Sequence, residues 1–441
     1  MTADSAPEPL SAKVESSFAY YTINARLPVT LSQIADSLYR KKDSVKTLGQ
    51  EATDDLKTII GKVSKLRYEV QTDKPIQPLE GDAPDVVIWN AELNARTDAN
   101  NGEPPTWYSA PWLYVECYMY RALCDYVKTS KKLQTYDLFA DQKQTAYLSS
   151  EAAIGSLLLY LKEVSTSLEK GEGNGAAELF AQFLQVALWG NKCDLSITQG
   201  LENTQKHCIL EQLTHLKPNI LADETPAILA ALSSAVSSRN GQSGRVDIVL
   251  DNAGFELVTD LCFAELLLLL GLASSICFHG KAMPWFVSDV TKEDFVWTLN
   301  TMGASSNDAI AHFASRWKSR LQDGSWVLKC DHFWTLPYDF SEMKKHSPEL
   351  YADLAKADLI FFKGDLNFRK LSGDRQWNPA TPFSVCLRGF NPAPLCSLRA
   401  LKADVVTGLQ EGLAEEISKK DKKWMINGNW ATVLFCGERH S

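Results

Sequence analysis

The chain has no CxxC pair, no HxxxH or HExxH arrangement, no surplus of positive charge and no clean apolar run of membrane length. Its 10 cysteines are dispersed, and several, such as Cys262 and Cys277, sit inside apolar runs. This argues against a disulfide framework or a Cys/His zinc site and for buried free thiols in a reducing compartment, the cytoplasm or the nucleus. Lys and Arg number 45 against 54 Asp and Glu, a formal net charge of -9. A chain so acidic does not displace counterions from a phosphate backbone, so nucleic acid is not an expected partner, although a local basic pocket is compatible with that balance. The most apolar stretch, residues 261–278, contains Glu265 and Gly271. It falls short of the roughly twenty apolar residues of a membrane span and reads as a buried helix running into a strand. Early acids and the lack of a long apolar core argue against a secretory signal at the amino terminus, and its few basic residues against a transit peptide.

What the chain does have is material for a large core: 441 residues, 45% of them hydrophobic, with 12 Trp, 14 Tyr and 18 Phe. That exceeds the usual size of one hydrophobic core. Residues 1–17, rich in Pro, Ser and Ala, read as a flexible leader. Residues 18–217 are mainly helical in pattern: Leu31, Ile34 and Leu38 recur at helical spacing, and the aromatic run from Trp112 to Arg121 reads as a packed helix. Loops interrupt this region at 77–84 and 100–105. In residues 218–441, helical stretches alternate with strand-like runs at 246–250, 275–279, 285–287, 327–329, 359–362 and 431–435. The alternation predicts a three-layer α/β/α core with a mainly parallel sheet, behind an N-terminal helical region.

Three of these apolar runs end in acids: Asp251-Asn252, Asp289 and Asp365. In parallel sheets the ligand crevice lies beyond the carboxyl ends of the strands. One acid there more often caps a helix, whereas three on neighbouring strands converge on a site for a hard cation. Gly254 allows close backbone approach or a sharp turn. Arg399 and Lys402, three apart, are expected to share a helix face and clamp a phosphate, one as a planar fork and the other as a point charge. The alternative for that pair is a solvated basic face.

Asp-Asn-x-Gly-Phe-Glu at 251–256, Lys-Gly-Asp-Leu-Asn-Phe-Arg at 363–369 and the 399–402 segment resemble the metal-dependent damage-control phosphatases, within them the sugar phosphate phosphatase subfamily also named acidic-residue methyltransferase. The likeness extends to residues 18–23, 189–196 and 333–337, and so covers nearly the whole chain. It implies an α/β/α core and a divalent metal (manganese, cobalt, nickel or magnesium) held by Asp251, Asn252 and Asp289. It implies that Asp251, Asn252, Asp365, Leu366, Asn367, Phe368, Arg369 and Lys402 hold a small phosphorylated metabolite. Fructose 1-phosphate and fructose 6-phosphate are the substrates it suggests. Two positions depart from the family pattern: Ala400 stands where a threonine is usual, and Phe368 where tyrosine is more common. Substrate preference is the property most exposed to both.

The resemblance gives Asp251, Asp289 and Lys402 catalytic roles, with Arg369 supporting the developing charge. Either a metal-bound water or the Asp251 carboxylate serves as nucleophile. The competing reading is an S-adenosylmethionine-dependent carboxyl methyltransferase acting on glutamate side chains, in which Glu256 and Asp289 touch the cofactor. The Gly-rich segment 171–175 follows a helical stretch and not a strand, so it reads as an interhelix loop and not as a cofactor loop. His279, at a strand end, reads as a packed or hydrogen-bonded residue.

Overall fold

The computed structural model describes residues 6–171, 175–197 and 213–437, with backbone alone for 191–197. Seven strands form one sheet: β1 (Ile220–Asp223), β2 (Arg245–Val249), β3 (Ser275–His279), β4 (Trp326–Lys329), β5 (Leu359–Lys363), β6 (Leu395–Ala400) and β7 (Ala431–Cys436). Their order is β1-β7-β6-β5-β2-β3-β4, and every pair is parallel except β6 with β7. The chain therefore winds outward from β2 through β3 to β4 on one side, and from β5 to β6 on the other. The point where that winding reverses lies between β2 and β5, the place where open α/β sheets bind their ligands.

Alternation along the strands assigns the two faces. Val246 and Ile248 of β2, Leu359 and Phe361 of β5 and Leu398 of β6 enter one hydrophobic cluster, with the helices Glu151–Glu169, Ala176–Ile197 and Phe255–Leu269. Val249, Ile360, Phe362 and Leu395 enter the other, with Leu27–Arg40, Gln50–Gln71 and Trp112–Lys128. Strands buried on both faces are nearly continuous in apolar residues because neither face meets water. The result is a three-layer α/β/α core. The N-terminal helices supply material to both outer layers, and the Trp112–Lys128 helix is buried along almost its whole length.

Three expectations are corrected. Residues 285–287 form no strand; Phe286 and Val287 have φ of 43° and 69°, so the segment is a left-handed turn. Arg399 and Lys402 share no helix face, because Arg399 lies on β6 and Lys402 beyond its end. The i, i+3 spacing mimicked a helix, whereas Ser397 and Arg399 are buried polar residues of a strand. Of the leader, residues 7–11 are tied down: the Leu10 N–H donates to Asp374 O and its carbonyl accepts from Trp112 N, both at 2.8 Å. Bridges at Pro9–Arg375 and Ser11–Pro111 extend that strap. β1 was not anticipated: its Ile-Leu-Ala run is short, only half-buried, and ends in the exposed Asp223. Among the described residues no helix is long and apolar enough to cross a membrane. Segment 171–175 lies between the helices Glu151–Glu169 and Ala176–Ile197, and its residues 172–174 fall outside the described ones.

Candidate active site

β2 leads through Leu250 into Asp251-Asn252, and Gly254, at φ 75°, turns the chain into the Phe255–Leu269 helix. After β3 the chain reverses through the 286–287 turn and returns beside β2. Ala253 N then donates to Ser288 O at 2.7 Å and Val290 N to Asp251 O at 2.9 Å. Asn252 and Asp289 are thereby paired across an antiparallel bridge. A β-branched residue such as Val287 in the left-handed region is strained, and such strain persists only where the surroundings enforce it. Here Phe286 stacks on Tyr120 at 4.6 Å and Trp285 is fully buried.

β5 ends at Lys363, and Gly364 opens the Gly364–Ser372 helix with φ 85°. A Cβ on Gly364 would lie 1.9 Å from Asp251 Oδ2, so only glycine lets the two strand ends approach. A cavity of about 150 Å³ lies there, lined by Leu188, Trp189, Asp251, Glu256, Gly364, Asp365, Leu398, Ala400, Lys402, Asn427 and Gly428. The winding reversal thus places an acid from β2, an acid after β5 and a lysine after β6 around one space.

Asp251 is only 8% exposed. Burial, then Glu256 and Asp289, push its carboxyl well above the usual range against the opposing pull of Lys402 and Lys281. Burial likewise raises Asp289 to about 6, although Lys281 Nζ stands 3.2 Å from its Oδ2. That oxygen accepts no well-aligned hydrogen bond. Around this point four acids (Asp251, Glu256, Asp260, Asp289) are buried with two lysines (Lys281, Lys363). Excess buried negative charge, a carboxylate oxygen held only by the Lys281 ion pair and an adjacent amide oxygen form the donor set of a hard cation. Asp251, Asn252 and Asp289 therefore fit a divalent metal.

The remaining expected residues divide. Burial would raise Asp365, but Arg399 and Arg369, with hydrogen bonds from Arg399 and the Lys402 backbone, hold it below the usual carboxylate range. Arg399 Nε donates to Asp365 Oδ1 at 2.8 Å while its other nitrogens bond Val405 O and Ala403 O, so Arg399 positions Asp365 and has no fork left for phosphate. Lys402 is exposed, and among the described residues its ammonium has no ion pair or hydrogen-bond partner given by the structure. Within 365–369 only Asp365 lines the cavity. Leu366 packs in the core, and Asn367 Nδ2 donates to Lys363 O and Leu250 O at 2.7 and 3.2 Å. The Phe368 ring lies under the Arg399 guanidinium at 4.1 Å. Arg369 is spent on Asp374 and Glu116 at 2.7–2.9 Å. These four build the wall behind the cavity. Sequence reasoning missed Lys281, Lys363, Asn427 and Gly428; the lysines were detectable as cations at the carboxyl ends of β3 and β5.

A second donor group, Asp247, Cys277 and His279, brings ligand-type atoms within 4.8 Å of one another, a set chemically suited to a divalent metal. It lies along β2 and β3, with Asp247 four residues before Asp251. Arg245 donates to both Asp247 oxygens, at 2.7 and 3.0 Å, and His279 Nε2 lies 2.9 Å from Oδ2. Burial lowers the imidazole, but hydrogen bonds to Asp247 and Cys277 outweigh it and push His279 up to about 9. A metal there has to displace both Arg245 and a proton. The sign of the linkage follows: a raised histidine stabilises the fold fully below about 6.5, its unfolded value, and that contribution is lost as pH rises through about 9. Thermal melts between pH 6 and 10 should show this decline, and His279→Gln should flatten it; an equally steep decline in the variant refutes the assignment.

A family model described as Damage-control phosphatase ARMT1-like domain matches residues 22–417. Damage-control phosphatase ARMT1 of Danio rerio is 46% identical over 433 residues, covering 97% of each chain. The Homo sapiens protein of that name is 40% identical over 435 residues, covering 98% of this chain and 99% of its own. Among solved structures, a DUF89 family protein from Pyrococcus horikoshii aligns over 94% of this chain and 97% of its own, with 13% identity and a TM-score of 0.45.

Proposed function

We propose, from the premise that this chain belongs to the damage-control phosphatase ARMT1-like family, that it hydrolyses small phosphate esters with the help of a divalent metal. Membership makes it a phosphatase; the metal requirement and the substrate are our reading. One observation carries that reading: a single cavity is lined by Asp251, Asp365 and Lys402, with Asn252 bonded to Asp251 and Asp289 bridged to Asn252. Its volume of about 150 Å³ favours a small ligand, and fructose 1-phosphate and fructose 6-phosphate, the substrates the resemblance suggests, are small esters. Pockets for drug-sized ligands run to roughly 300–1,000 Å³.

Asp251, Asn252 and Asp289 would hold manganese, cobalt, nickel or magnesium, which when bound polarises phosphoryl oxygens and lowers the pKa of water. The Lys402 ammonium meets the phosphate oxygens and offsets the charge that builds on them. Asp365, kept ionised by Arg399, accepts a hydrogen bond from a sugar hydroxyl and so fixes which ester bond faces Asp251. The nucleophile is a water or the Asp251 carboxylate. Acid quench of a turnover with ³²P-labelled substrate separates the two, since only the second leaves label on the protein.

Lys402→Ala should lower kcat/KM about 10- to 100-fold, the effect of losing a charged hydrogen bond of about 1.5–3 kcal/mol. Phosphate release from a panel of sugar phosphates measures it. Parent-like kinetics in that variant remove Lys402 from the site. Release from none of the panel by the parent chain overturns the substrate class.

A further inference from the structure

Asn252 offers two different ends, and only one can serve a cation. On one side its Nδ2 donates to Asp251 Oδ2 at 3.0 Å and to Glu256 Oε2 at 2.9 Å. On the other, its Oδ1 accepts from Ser288 Oγ at 2.5 Å. A flipped amide would put its NH₂ against the Ser288 side and its oxygen against two carboxylates. The neighbours therefore determine which end faces which way.

Glu256 is itself held. Lys363 Nζ stands 3.7 Å from its Oε1 and 2.7 Å from Asp260 Oδ1, and donates to Ala187 O at 2.5 Å. On the far side Gly190 presses against it: a Cβ there would meet Glu256 Cα and Cγ at 3.2 Å. Lys363 is 2% exposed and Glu256 6%. Burying a lysine between two acids is costly unless its geometry is fully used. Here one ammonium joins the end of β5, the helix that follows Asp251-Asn252, and the carbonyl just before the cavity-wall residues Leu188 and Trp189.

We infer that Glu256 and Lys363 are a buried positioning pair which, through the Asn252 amide, presents the Asn252 carbonyl oxygen to the metal. In this role both act on the metal through Asn252, although the Glu256 side chain also lines the cavity. The inference rests on the phosphatase reading above, in which Asn252 is a ligand. It assigns Glu256 to support of the metal site instead of to cofactor contact.

The test is Mn²⁺ binding to the chelator-treated full chain, read by calorimetry without substrate, beside kinetics. Glu256→Leu and Lys363→Met should weaken Mn²⁺ binding about 10- to 100-fold, the usual effect of losing a partner that orients a ligand. For Lys363→Met, which lies outside the cavity lining, KM at saturating metal should stay near that of the parent. Glu256→Gln, which keeps an acceptor for Asn252, should restore most of the affinity. Ser288→Ala, which removes only the hydroxyl on the far side of the amide, should cost a few-fold; circular dichroism confirms the fold of each variant. If Glu256→Leu fails to fold, Ser288→Ala and Glu256→Gln decide the question. Unchanged Mn²⁺ affinity across the folded variants overturns the positioning role while leaving the phosphatase reading intact. A parent chain that takes up no Mn²⁺ overturns that reading and the inference with it.

Discussion

Asp251→Ala is expected to abolish metal-stimulated phosphate release, lowering kcat by about 10²–10³-fold or more, while the chain stays folded. The size follows from the convergence of roles: this carboxylate faces the cavity, bonds Asn252 and adjoins Asp289, so its loss removes charge where the transition state needs a fixed electrostatic frame. Folding survives because the carboxylate is a liability in the metal-free chain. It is buried with Glu256 and Asp289 and pushed well above its ordinary range, so deleting it relieves repulsion. The metal-free variant should therefore melt no lower than the parent, and Mn²⁺ should no longer raise its Tm, as ligand linkage requires. Parent-level turnover in Asp251→Ala would contradict the site; a collapsed fold would contradict the electrostatic argument.

Gly364→Ala has an effect of similar size by a different route. Its φ of 85° lies in the left-handed region, and the added Cβ would fall 1.9 Å from Asp251 Oδ2 and 2.1 Å from Asp251 Cγ. The carboxylate must swing away or the start of the Gly364–Ser372 helix must shift, and either separates the acid of β2 from Asp365. The backbone strain alone costs about 1–3 kcal/mol. The expected outcome is a Tm several degrees lower and a fall in kcat approaching that of Asp251→Ala. A variant with parent activity would mean that the two strand ends need not touch. Gly364→Ala combined with Asp251→Ala should recover part of the lost Tm, because the smaller side chain removes the clash.

The cavity was legible in the sequence through its strand ends. The apolar run before Asp251 reads as buried because β2 is covered on both faces, and Asp365 follows an equally apolar β5. Parallel neighbours carry such residues to one edge by topology alone, and the order β5-β2-β3 does so. The structure pairs Asp289 with Asn252, but by a route the sequence did not suggest. It does not end a strand; a strained turn through Phe286 and Val287 brings it back, and no local propensity announces a left-handed valine. Arg399 shows a different limit. Its i, i+3 relation to Lys402 looks helical, yet β6 is a central strand, and the acid that Arg399 pairs with, Asp365, lies 34 residues upstream. Arg369 fails for the same reason, because Glu116, which takes one of its nitrogens, comes from the helical region far upstream. Side chains that pair across long separations leave no periodic signature, so the sequence names the motif but not which members face the ligand.

The most direct measurement is a crystal structure of the full chain soaked with Mn²⁺ and inorganic phosphate, with anomalous scattering used to locate the metal. One strong peak is expected, bounded by Asp251, Asn252 and Asp289, with phosphate between it and the Lys402 ammonium. A peak at Asp247, Cys277 and His279 instead, or phosphate bound away from Lys402, would contradict this assignment.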